Sequence, residues 1–473
     1  MSAAARALTL SLISHTNAGK TTLARTLLRR DVGEVFDQAH VTLESQRYTL
    51  LPPGPDDGGI ELWDTPGFGD SARLLREVEG REQPLDWLAE QRFDPVTQRA
   101  LHSSQCAVVN VVEHADVILY LVNASEDPVA AGYVEPEMRI LGWTQRPVIV
   151  VLNHTGSPME TDARRRAEER WRWHLASHAA VRDVISLDAF TRCWVQEGLL
   201  LLRLEALVEE RSTPLAMELL ERWRDENLSV LTGSACELAK LLVGVAADAE
   251  PVGEAWLPRL VRRRAAAALA ERLVSASRRC FDRMLELHVL EGAGAVWARG
   301  QLDDISLPGR RPDPLRSGVI GGVVGGALGG LVADAAVAGL SLGGGALAGA
   351  LLGGLGMGAF AWATEQLGGE REPKVVWSTD YLARLTQQSV QRYLAVAHCG
   401  RGGGRYRERV DPEFWAPLVE RELGRELVGL SQIWERARAA DAGAEAPLAE
   451  LLERVLRRCL VDLYPGSERF LGA

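Results

Sequence analysis

The stretch "LTLSLISHTNAGKTTL", residues 8–23, joins a short apolar run to a loop and then to a helix-forming segment. The loop matches the spacing G-x-x-x-x-G-K-[ST] except at its first position, where Ser14 replaces glycine. Gly19 lets the backbone approach a phosphate closely, Lys20 can reach terminal phosphates, and the Thr21 hydroxyl can bind Mg²⁺. The alternative is an accidental strand, turn and helix. The strand-loop-helix order favours a phosphate-binding loop.

A second motif, "IELWDTPGFGD" at residues 60–70, also follows an apolar run. Asp64 stands where an acidic residue holds the Mg²⁺ shell, and Gly67 stands where a backbone amide senses a γ-phosphate. Two such motifs in the right order, each at the end of a predicted strand, make coincidence improbable. The residues predicted to contact the nucleotide in these motifs are Ser14, Asn17, Ala18, Gly19, Lys20, Thr21, Thr22, Asp64 and Gly67.

Composition limits the other function classes. The chain has 473 residues, enough for two or three domains, and a net charge of −11, so nonspecific nucleic-acid binding is not expected. Six scattered cysteines without a C-x-x-C pair indicate reduced thiols and no zinc site. The first apolar stretch is too short for a secretory signal and is better explained as a buried strand. Lys20 is one of only three lysines, which suggests a position where arginine does not fit.

The first 190 residues alternate strand-like and helical segments. The strand-like runs are rich in Val, Ile and Leu and nearly continuous in apolarity, which is typical of a parallel sheet covered on both faces. We therefore predict an α/β fold with a doubly wound, mostly parallel sheet in a nucleotide domain over residues 1–195. The predicted strands are residues 7–13, 59–64, 116–122, 147–153 and 181–187.

The remainder of the chain has helical periodicity, interrupted by a glycine-rich segment. We predict a helical arm over residues 196–316, a hydrophobic helical hairpin over 317–364 and a C-terminal helical region over 365–473. Within the hairpin, residues 317–333 and 345–364 carry no charge and are each long enough to approach a membrane span. Glycines recur every fourth residue, which would let two helices approach closely in lipid.

Charges around this hairpin predict its orientation. Asp334 lies between the two apolar stretches, whereas Arg310, Arg311 and Arg316 precede them and Lys374 follows. Two spans with basic flanks would leave both ends in the cytosol, so we predict attachment to membrane lipid at its cytoplasmic face. The alternative is a buried hairpin inside a soluble helical bundle.

The motifs resemble those of the Era and TrmE branch of the translation-factor class of P-loop GTPases. The resemblance covers residues 7–190 and rests on "NAGKT" and "DTPG". It implies GTP or GDP as ligand, Mg²⁺ as cofactor, and a first switch segment at residues 32–45 in which Thr42 closes over the metal. The implied metal ligands are Thr21, Thr42 and Asp64. The layout is also similar to a bacterial family in which a GTPase domain precedes a helical domain of unknown function, which implies the bacterial inner membrane as location.

The base-reading motif departs from the family pattern N-K-x-D. The corresponding residues are Asn153, His154, Thr155 and Gly156, so the carboxylate that accepts hydrogen bonds from guanine is missing. An imidazole can stack where the lysine stem normally flanks the base. Asp162 or Asp188 are alternative sources of a carboxylate, and Ser186 is the predicted residue of the last base-proximal loop. GTP is the expected nucleotide, with ATP or relaxed base specificity as the alternative.

The residues expected to support hydrolysis also depart from the pattern. Phe68 follows Gly67, where Ras-type enzymes place a glutamine that orients water. In the resembling branch an asparagine of the phosphate loop helps to hold K⁺, and Asn17 occupies that position; the alternative is a residue that only stabilises the loop. The predicted catalytic residues are Asn17, Lys20, Thr42 and Gly67. Hydrolysis is expected to be slow until K⁺, dimerisation or an unknown protein activator supplies positive charge.

These observations predict a membrane-associated GTP-binding protein that works as a slow, nucleotide-dependent switch. Two alternatives remain. One is a structural membrane protein that binds nucleotide but barely hydrolyses it, and the other is a soluble ATPase or NTPase with relaxed base specificity. The expected partners are guanine nucleotide, membrane lipid through residues 317–364, and a second copy or an activator, with no nucleic acid.

Overall fold

A six-stranded sheet forms the centre of the amino-terminal part of the chain, with strand order β2-β3-β1-β4-β5-β6. The computed structural model describes residues 7–16, 18–29, 45–54, 58–91, 93–156, 158–208, 213–251, 258–290, 360–367, 370–400 and 411–472. Neighbouring strands run parallel except for β2, which pairs antiparallel with β3 at one edge. The strands are β1 Leu8–Ser14, β2 Gln46–Leu51, β3 Ile60–Asp64, β4 Val117–Asn123, β5 Val148–Asn153 and β6 Val181–Ser186.

Both faces of this sheet are buried, which explains the continuous apolar runs. Leu10 and Leu12 point to one hydrophobic core and Ile13 points to the other. The five predicted strands and the doubly wound fold are confirmed. Strand β2 was not predicted, because its sequence "QRYTLL" is polar and largely exposed at the sheet edge.

Helices cover the two faces unequally. Helix α1 packs on the face that carries Leu10 and Leu12, and the following five helices pack on the opposite face. Their dense packing fixes the strand ends where the two predicted phosphate motifs lie. The helices are α1 Lys20–Leu28, α2 Ser71–Val78, α3 Pro84–Glu90, α4 Arg99–His114, α5 Val134–Trp143 and α6 Thr161–His174.

A helical region continues the core on the α1 side of the sheet, because both belong to one hydrophobic cluster. Gly198 lets its first two helices approach, since a Cβ at this position would lie 2.5 Å from the Trp223 ring. The helices are α7 Trp194–Glu205, α8 Thr213–Ala247, α9 Pro258–Leu287, α10 Thr379–Ala397, α11 Trp415–Gly424, α12 Leu427–Arg438, α13 Glu445–Leu463 and α14 Glu468–Leu471, with a 3₁₀ turn at Ala442–Ala444.

A small antiparallel sheet corrects part of the predicted hairpin. Its strands are β7 Ala249–Pro251, β8 Phe360–Leu367 and β9 Glu370–Trp377, in the order β7-β9-β8. Residues 360–364, expected to end a membrane helix, therefore lie in a strand, and the region expected to be helical from residue 365 begins with a β-hairpin. Aromatic residues alternate at 360 and 362, a period of two that favours a strand over a helix. Residues 317–359 lie outside the described ranges.

Within the described ranges, one helix is long and apolar enough to cross a membrane by length and composition. It is the segment Ala216–Ala247 of α8, whose most apolar 18-residue window has a mean hydropathy of 1.5. Half of its most apolar window is buried, and α8 packs against α7, α9 and α13. The core helix of a soluble bundle has the same properties, so this segment is weak evidence for a membrane span.

Tyr464 joins the helical region to the nucleotide domain. Its hydroxyl lies 2.6 Å from His398 Nε2, and the Arg164 guanidinium from α6 lies 4.8 Å from the centre of its ring. His398 Nδ1 donates to the Leu394 carbonyl at 2.7 Å, which leaves Nε2 of the neutral ring to accept from the Tyr464 hydroxyl. Burial lowers the pKa of His398 to about 4.

This neutral histidine predicts a pH-dependent stability. Because the pKa of His398 is about 4 in the fold and 6.5 as its ordinary value, the stabilisation is complete above pH 6.5 and lost as pH falls towards 4. The loss is about 3 kcal/mol. We expect His398→Gln to flatten the fall of the urea midpoint over this range, whereas the control His114→Gln, at a half-buried ring that stacks on Trp63, should leave it unchanged. An equally steep fall in His398→Gln would contradict the assignment.

Candidate functional site

The phosphate loop turns sharply at Gly19, the residue before α1. Gly19 has φ of +85°, and a Cβ there would lie 2.6 Å from Asn153 Nδ2 and 3.0 Å from His154 Nε2. Both the conformation and the close approach require glycine. The N-terminus of α1 thereby faces the edge of the sheet where β1 ends, with its first backbone N–H groups available for an anion.

Lys20 is buried beside this turn, and its ammonium donates to Ser14 Oγ at 2.9 Å. Ser14 itself is the buried last residue of β1 and donates to the His15 carbonyl at 2.5 Å. Burial lowers the pKa of Lys20, whereas attraction to Asp64 and Glu137 opposes this change. The serine that replaces the first glycine of the motif is therefore a direct partner of the lysine.

Thr21 and Asp64 meet at the predicted metal position. The Thr21 hydroxyl donates to Asp64 Oδ2 at 2.6 Å, and the other carboxylate oxygen is buried without a hydrogen-bond partner among the described residues. Burial raises the pKa of Asp64, opposed by the Thr21 hydrogen bond and by Lys20. A hydroxyl beside a carboxylate with an unsatisfied oxygen fits a hard cation such as Mg²⁺.

Gly67 lies against the phosphate loop. A Cβ at this position would lie 3.0 Å from Lys20 Nζ and 3.1 Å from Thr16 Cα, so only glycine leaves the lysine its place. The next residue, Phe68, bridges to the loop, since its N–H donates to Ser14 O at 2.9 Å and its carbonyl accepts from Thr16 N at 3.1 Å. The Phe68 ring is fully buried in the core.

Asn153 connects the predicted base-reading loop to its neighbours. Its Nδ2 donates to the Ala18 carbonyl at 2.8 Å, and its Oδ1 accepts from the Ala189 N–H at 2.9 Å. His154 has φ of +58°, and its ring centre lies 5.9 Å from that of Phe190. The His154 ring thus lies beside Gly19 of the phosphate loop, and the Phe190 ring lies next to that of His154.

The Asp188 carboxylate lies against the predicted base-reading loop, residues 153–156, which has no acidic residue of its own. Its Oδ2 accepts from the Thr155 N–H, from the Thr155 hydroxyl at 3.0 Å and from the Gly156 N–H at 3.3 Å, and Oδ1 accepts from Phe190 N at 2.7 Å. Of the two aspartates considered from the sequence, Asp188 is therefore the one at the site. Asp162 lies on α6 and pairs with Arg165 at 3.5 Å.

The remaining predicted residues occupy different places. Thr22 is buried in α1 and its carbonyl accepts from the Thr26 hydroxyl at 3.1 Å. Ser186 ends β6, and its N–H donates to Glu168 at 2.9 Å. Asn17 and Thr42 lie outside the described residues.

Sequence reasoning missed Glu137, a fully buried carboxylate behind the phosphate loop. Its Oε1 lies 2.7 Å from His15 Nδ1 and its Oε2 accepts from the Tyr120 hydroxyl at 2.6 Å. The signal was present in α5, where Glu137 falls on the apolar stripe formed by Val134, Met138 and Leu141.

The chain is similar to several known proteins. Residues 9–154 match the family model described as 50S ribosome-binding GTPase. Era from Aquifex aeolicus, bound to GDP·AlF4⁻, is 19% identical over 43% of this chain and 58% of Era, with a TM-score of 0.31. Era in complex with MgGDPNP and a 16S ribosomal RNA segment is 19% identical over 44% of this chain and 58% of Era, with a TM-score of 0.32. The elongation factor SelB from Methanococcus maripaludis is 19% identical over 39% of this chain and 30% of SelB, with a TM-score of 0.24.

No curated protein matches the chain. The matched part spans 58% of the length of Era, which itself binds RNA in one structure. The family match and the two phosphate motifs show that the amino-terminal part is a GTP-binding P-loop GTPase domain. The expected absence of a nucleic-acid partner stays a prediction.

The base-reading loop predicts a gain of specificity. Gly156 has φ of +84° and nothing lies within 4 Å of its Cβ position, so Gly156→Asp has room for the missing carboxylate. A charged hydrogen bond contributes about 1.5–3 kcal/mol, so we expect the preference for GTP over ATP to rise about tenfold or more in competition assays. Gly156→Ala carries the same backbone strain without the carboxylate and should show no gain. A strong guanine preference in the parent with no gain in Gly156→Asp would mean that another group already reads the base.

Proposed function

We propose that this protein is a membrane-associated, GTP-binding switch with slow hydrolysis. The observation that carries the proposal is the cluster at the ends of β1 and β3, where Lys20, the Thr21–Asp64 pair and Gly67 meet. A buried ammonium, a cation site and a backbone turn without a side chain are the groups that phosphoryl transfer requires.

Each residue has a distinct part in this proposal. Lys20 is the first residue of α1, and its ammonium would leave Ser14 to contact the β- and γ-phosphates. Thr21 and Asp64 would hold Mg²⁺, which when bound neutralises charge on the phosphate oxygens. Thr42 is proposed to join them from the first switch segment, and the Gly67 N–H to contact the γ-phosphate.

The proposal of slow hydrolysis rests on Phe68, the residue that follows Gly67 in the second phosphate motif. The Phe68 ring is buried in the core and carries no group that can orient or deprotonate water. Positive charge for the transition state would come from K⁺ held with the help of Asn17, from a second copy or from an activator. A domain that binds nucleotide but barely hydrolyses it is the rival version.

Contacts of the helical arm support a switch. Helix α1 starts at the phosphate site and ends, about 13 Å away, at Arg29. The Arg29 guanidinium donates to Asn227 of α8 and lies 3.8 Å from Glu197 of α7. On the other side of the first switch segment, Arg222 of α8 donates to the Pro52 carbonyl. Helix α8 thus contacts residues on both sides of the first switch segment. A conformational change in that segment would therefore be transmitted to the helical arm through α8.

Turnover tests the enzymatic part. We expect K⁺ to accelerate GTP hydrolysis over Na⁺ by roughly tenfold or more, since one electrostatic donor contributes about 10²–10³ in rate. Asn17→Ala should remove the difference between the salts.

Lys20→Ala should weaken nucleotide binding about 100-fold, through loss of about two charged hydrogen bonds. The matched control is Lys240→Ala, at an exposed lysine of α8.

Two results would contradict this assignment. Equal turnover in K⁺ and Na⁺ would leave Asn17 as a loop residue only. Undiminished nucleotide affinity of Lys20→Ala in calorimetry would overturn the phosphate site itself.

The membrane part of the proposal rests on the glycine-rich segment. Residues 317–333 and the part of 345–364 before β8 are uncharged and rich in glycine at four-residue spacing. Flanking basic residues favour a cytoplasmic G domain at the bacterial inner membrane. A hairpin buried in a soluble bundle is the rival version.

Carbonate extraction tests membrane attachment. The matched variant lacks residues 317–359, which leaves strand β8 and its pairing with β9 intact. We expect the full chain to stay in the membrane pellet and the deletion to be released into the supernatant, because the apolar segment is removed. Release of both proteins alike would exclude a spanning hairpin.

A second candidate, an NTPase with relaxed base specificity, is favoured by one observation. Both polar ends of Asn153 and both oxygens of Asp188 already bind protein groups, whereas the rings of His154 and Phe190 flank the loop. Stacking on aromatic rings discriminates poorly between bases. The competition assay with Gly156→Asp separates this candidate from a guanine-specific switch.

A further inference from the structure

The chain that leaves helix α10 lies directly against a loop of the nucleotide domain. Gly400 is buried there, and its N–H donates to the Phe190 carbonyl at 3.1 Å. A Cβ at Gly400 would overlap the Ala189 carbonyl oxygen and would lie 2.8 Å from the Ala189 carbonyl carbon. The two backbones are therefore in contact as well as hydrogen-bonded. At this point the helical region and the 188–190 loop cannot move independently.

The loop that Gly400 contacts also holds the predicted base-reading loop. The Ala189 N–H donates to Asn153 Oδ1 at 2.9 Å. The Phe190 ring centre lies 5.9 Å from that of His154, whose ring lies beside the phosphate loop. A displacement of these two residues would therefore change the positions of the side chains that are predicted to meet the base.

A second contact joins the same segment of the helical region to α6, the helix that follows the base-reading loop. The Arg164 guanidinium of α6 donates to the Leu463 carbonyl at 2.6 Å and lies over the Tyr464 ring. The Tyr464 hydroxyl lies 2.6 Å from Nε2 of His398, two residues before Gly400. Residues 398–400 are thus connected to the nucleotide domain on both sides of the predicted base position.

We infer that Gly400 is a positioning residue for the base-binding side of the nucleotide site. A side chain at this position would push against backbone atoms, which cannot yield as the end of a flexible side chain can. Ala189 would then move away from Asn153, and Phe190 would move relative to His154. This inference rests on the proposed nucleotide function. It adds to that function a residue of the helical region, far in sequence from every predicted contact.

The phosphate side of the site depends on other atoms. The groups proposed to hold the phosphates, among them Lys20 and Gly67, belong to α1 and to the turn after β3. Asn153 contacts the phosphate loop through Nδ2, which donates to the Ala18 carbonyl, and not through the oxygen that Ala189 binds. Loss of the Gly400 contact therefore acts most on the base and least on the phosphates.

Two ligands separate these effects. The affinities of the full chain for GDP and for inorganic tripolyphosphate, which has no base, are measured by competition against a fluorescent GTP analogue. We expect Gly400→Ala to weaken GDP binding about tenfold, the scale of one lost base contact, and to leave tripolyphosphate binding unchanged. A variant that merely destabilised the fold would weaken both ligands alike.

The matched control is Gly59→Ala, which produces a backbone clash of the same kind elsewhere. A Cβ at Gly59 would lie 2.5 Å from the Leu51 carbonyl oxygen, and its φ is +72°. Gly59 precedes β3, at the end of that strand opposite to Asp64. This variant should lower thermal stability but leave the ratio of the two affinities as it is in the parent protein.

Hydrogen exchange tests the contact in the parent protein without any substitution. Because coupling between two sites is reciprocal, a base that orders the 188–190 loop must also stabilise the contact with Gly400. We expect GDP to slow the exchange of a peptide that contains residues 398–400, and tripolyphosphate to slow it less. Both ligands should protect the peptide that contains Lys20.

Three results would overturn the inference. They are an unchanged GDP affinity in Gly400→Ala, an equal loss for both ligands, and protection by GDP at Lys20 without protection at residues 398–400. The exchange experiment with GDP decides alone if Gly400→Ala does not fold or if tripolyphosphate binds too weakly to measure. Failure of the parent protein to bind GDP or the GTP analogue would instead refute the proposed function, and this inference with it.

Discussion

The burial of Lys20 at the carboxyl edge of the sheet is the constraint on which the site depends. An ammonium group taken out of water needs partners, and Ser14 Oγ at 2.9 Å together with attraction from Asp64 and Glu137 provides them. The space for its side chain exists because Gly67 lacks a Cβ. The two phosphate motifs are therefore fitted to each other through this one side chain.

The same edge of the sheet is supported from both sides by different helices. On one face, α5 carries Glu137 to the back of the phosphate loop. On the other face, α1 extends from the loop to Arg29, which α7 and α8 contact. Because the helical region shares one hydrophobic core with α1, the nucleotide site and the arm are joined by packing as well as by hydrogen bonds. For this reason, a displacement of α1 would move contacts both at the nucleotide site and in the helical region.

Sequence reasoning predicted the features that depend on local sequence patterns, namely the parallel strands and the phosphate loop. Continuous apolar runs identified the parallel strands, and the sequence Gly19-Lys20-Thr21 between a strand and a helix identified the phosphate loop. It missed β2, whose polar residues form an exposed edge, and it expected a helix at residues 360–364, where pairing with β9 forms a strand. The partners of Asp188 and Glu137 were also out of reach, because His15 and Glu137 are 122 positions apart in the chain. Contacts of this kind depend on how β4, α5 and the loops pack together.

The charges of the site fit the divalent cation of the proposed function. Asp64 and Glu137 are both buried near Lys20, so two carboxyl groups surround one ammonium. Burial raises the pKa of both carboxyl groups, which shows how costly their ionised forms are without further positive charge. A triphosphate would add several negative charges to this set. Glu137 is hydrogen-bonded to His15 and Tyr120, whereas Asp64 keeps one buried oxygen without a partner among the described residues. Asp64 is therefore the carboxylate better suited to the divalent cation of the proposed function.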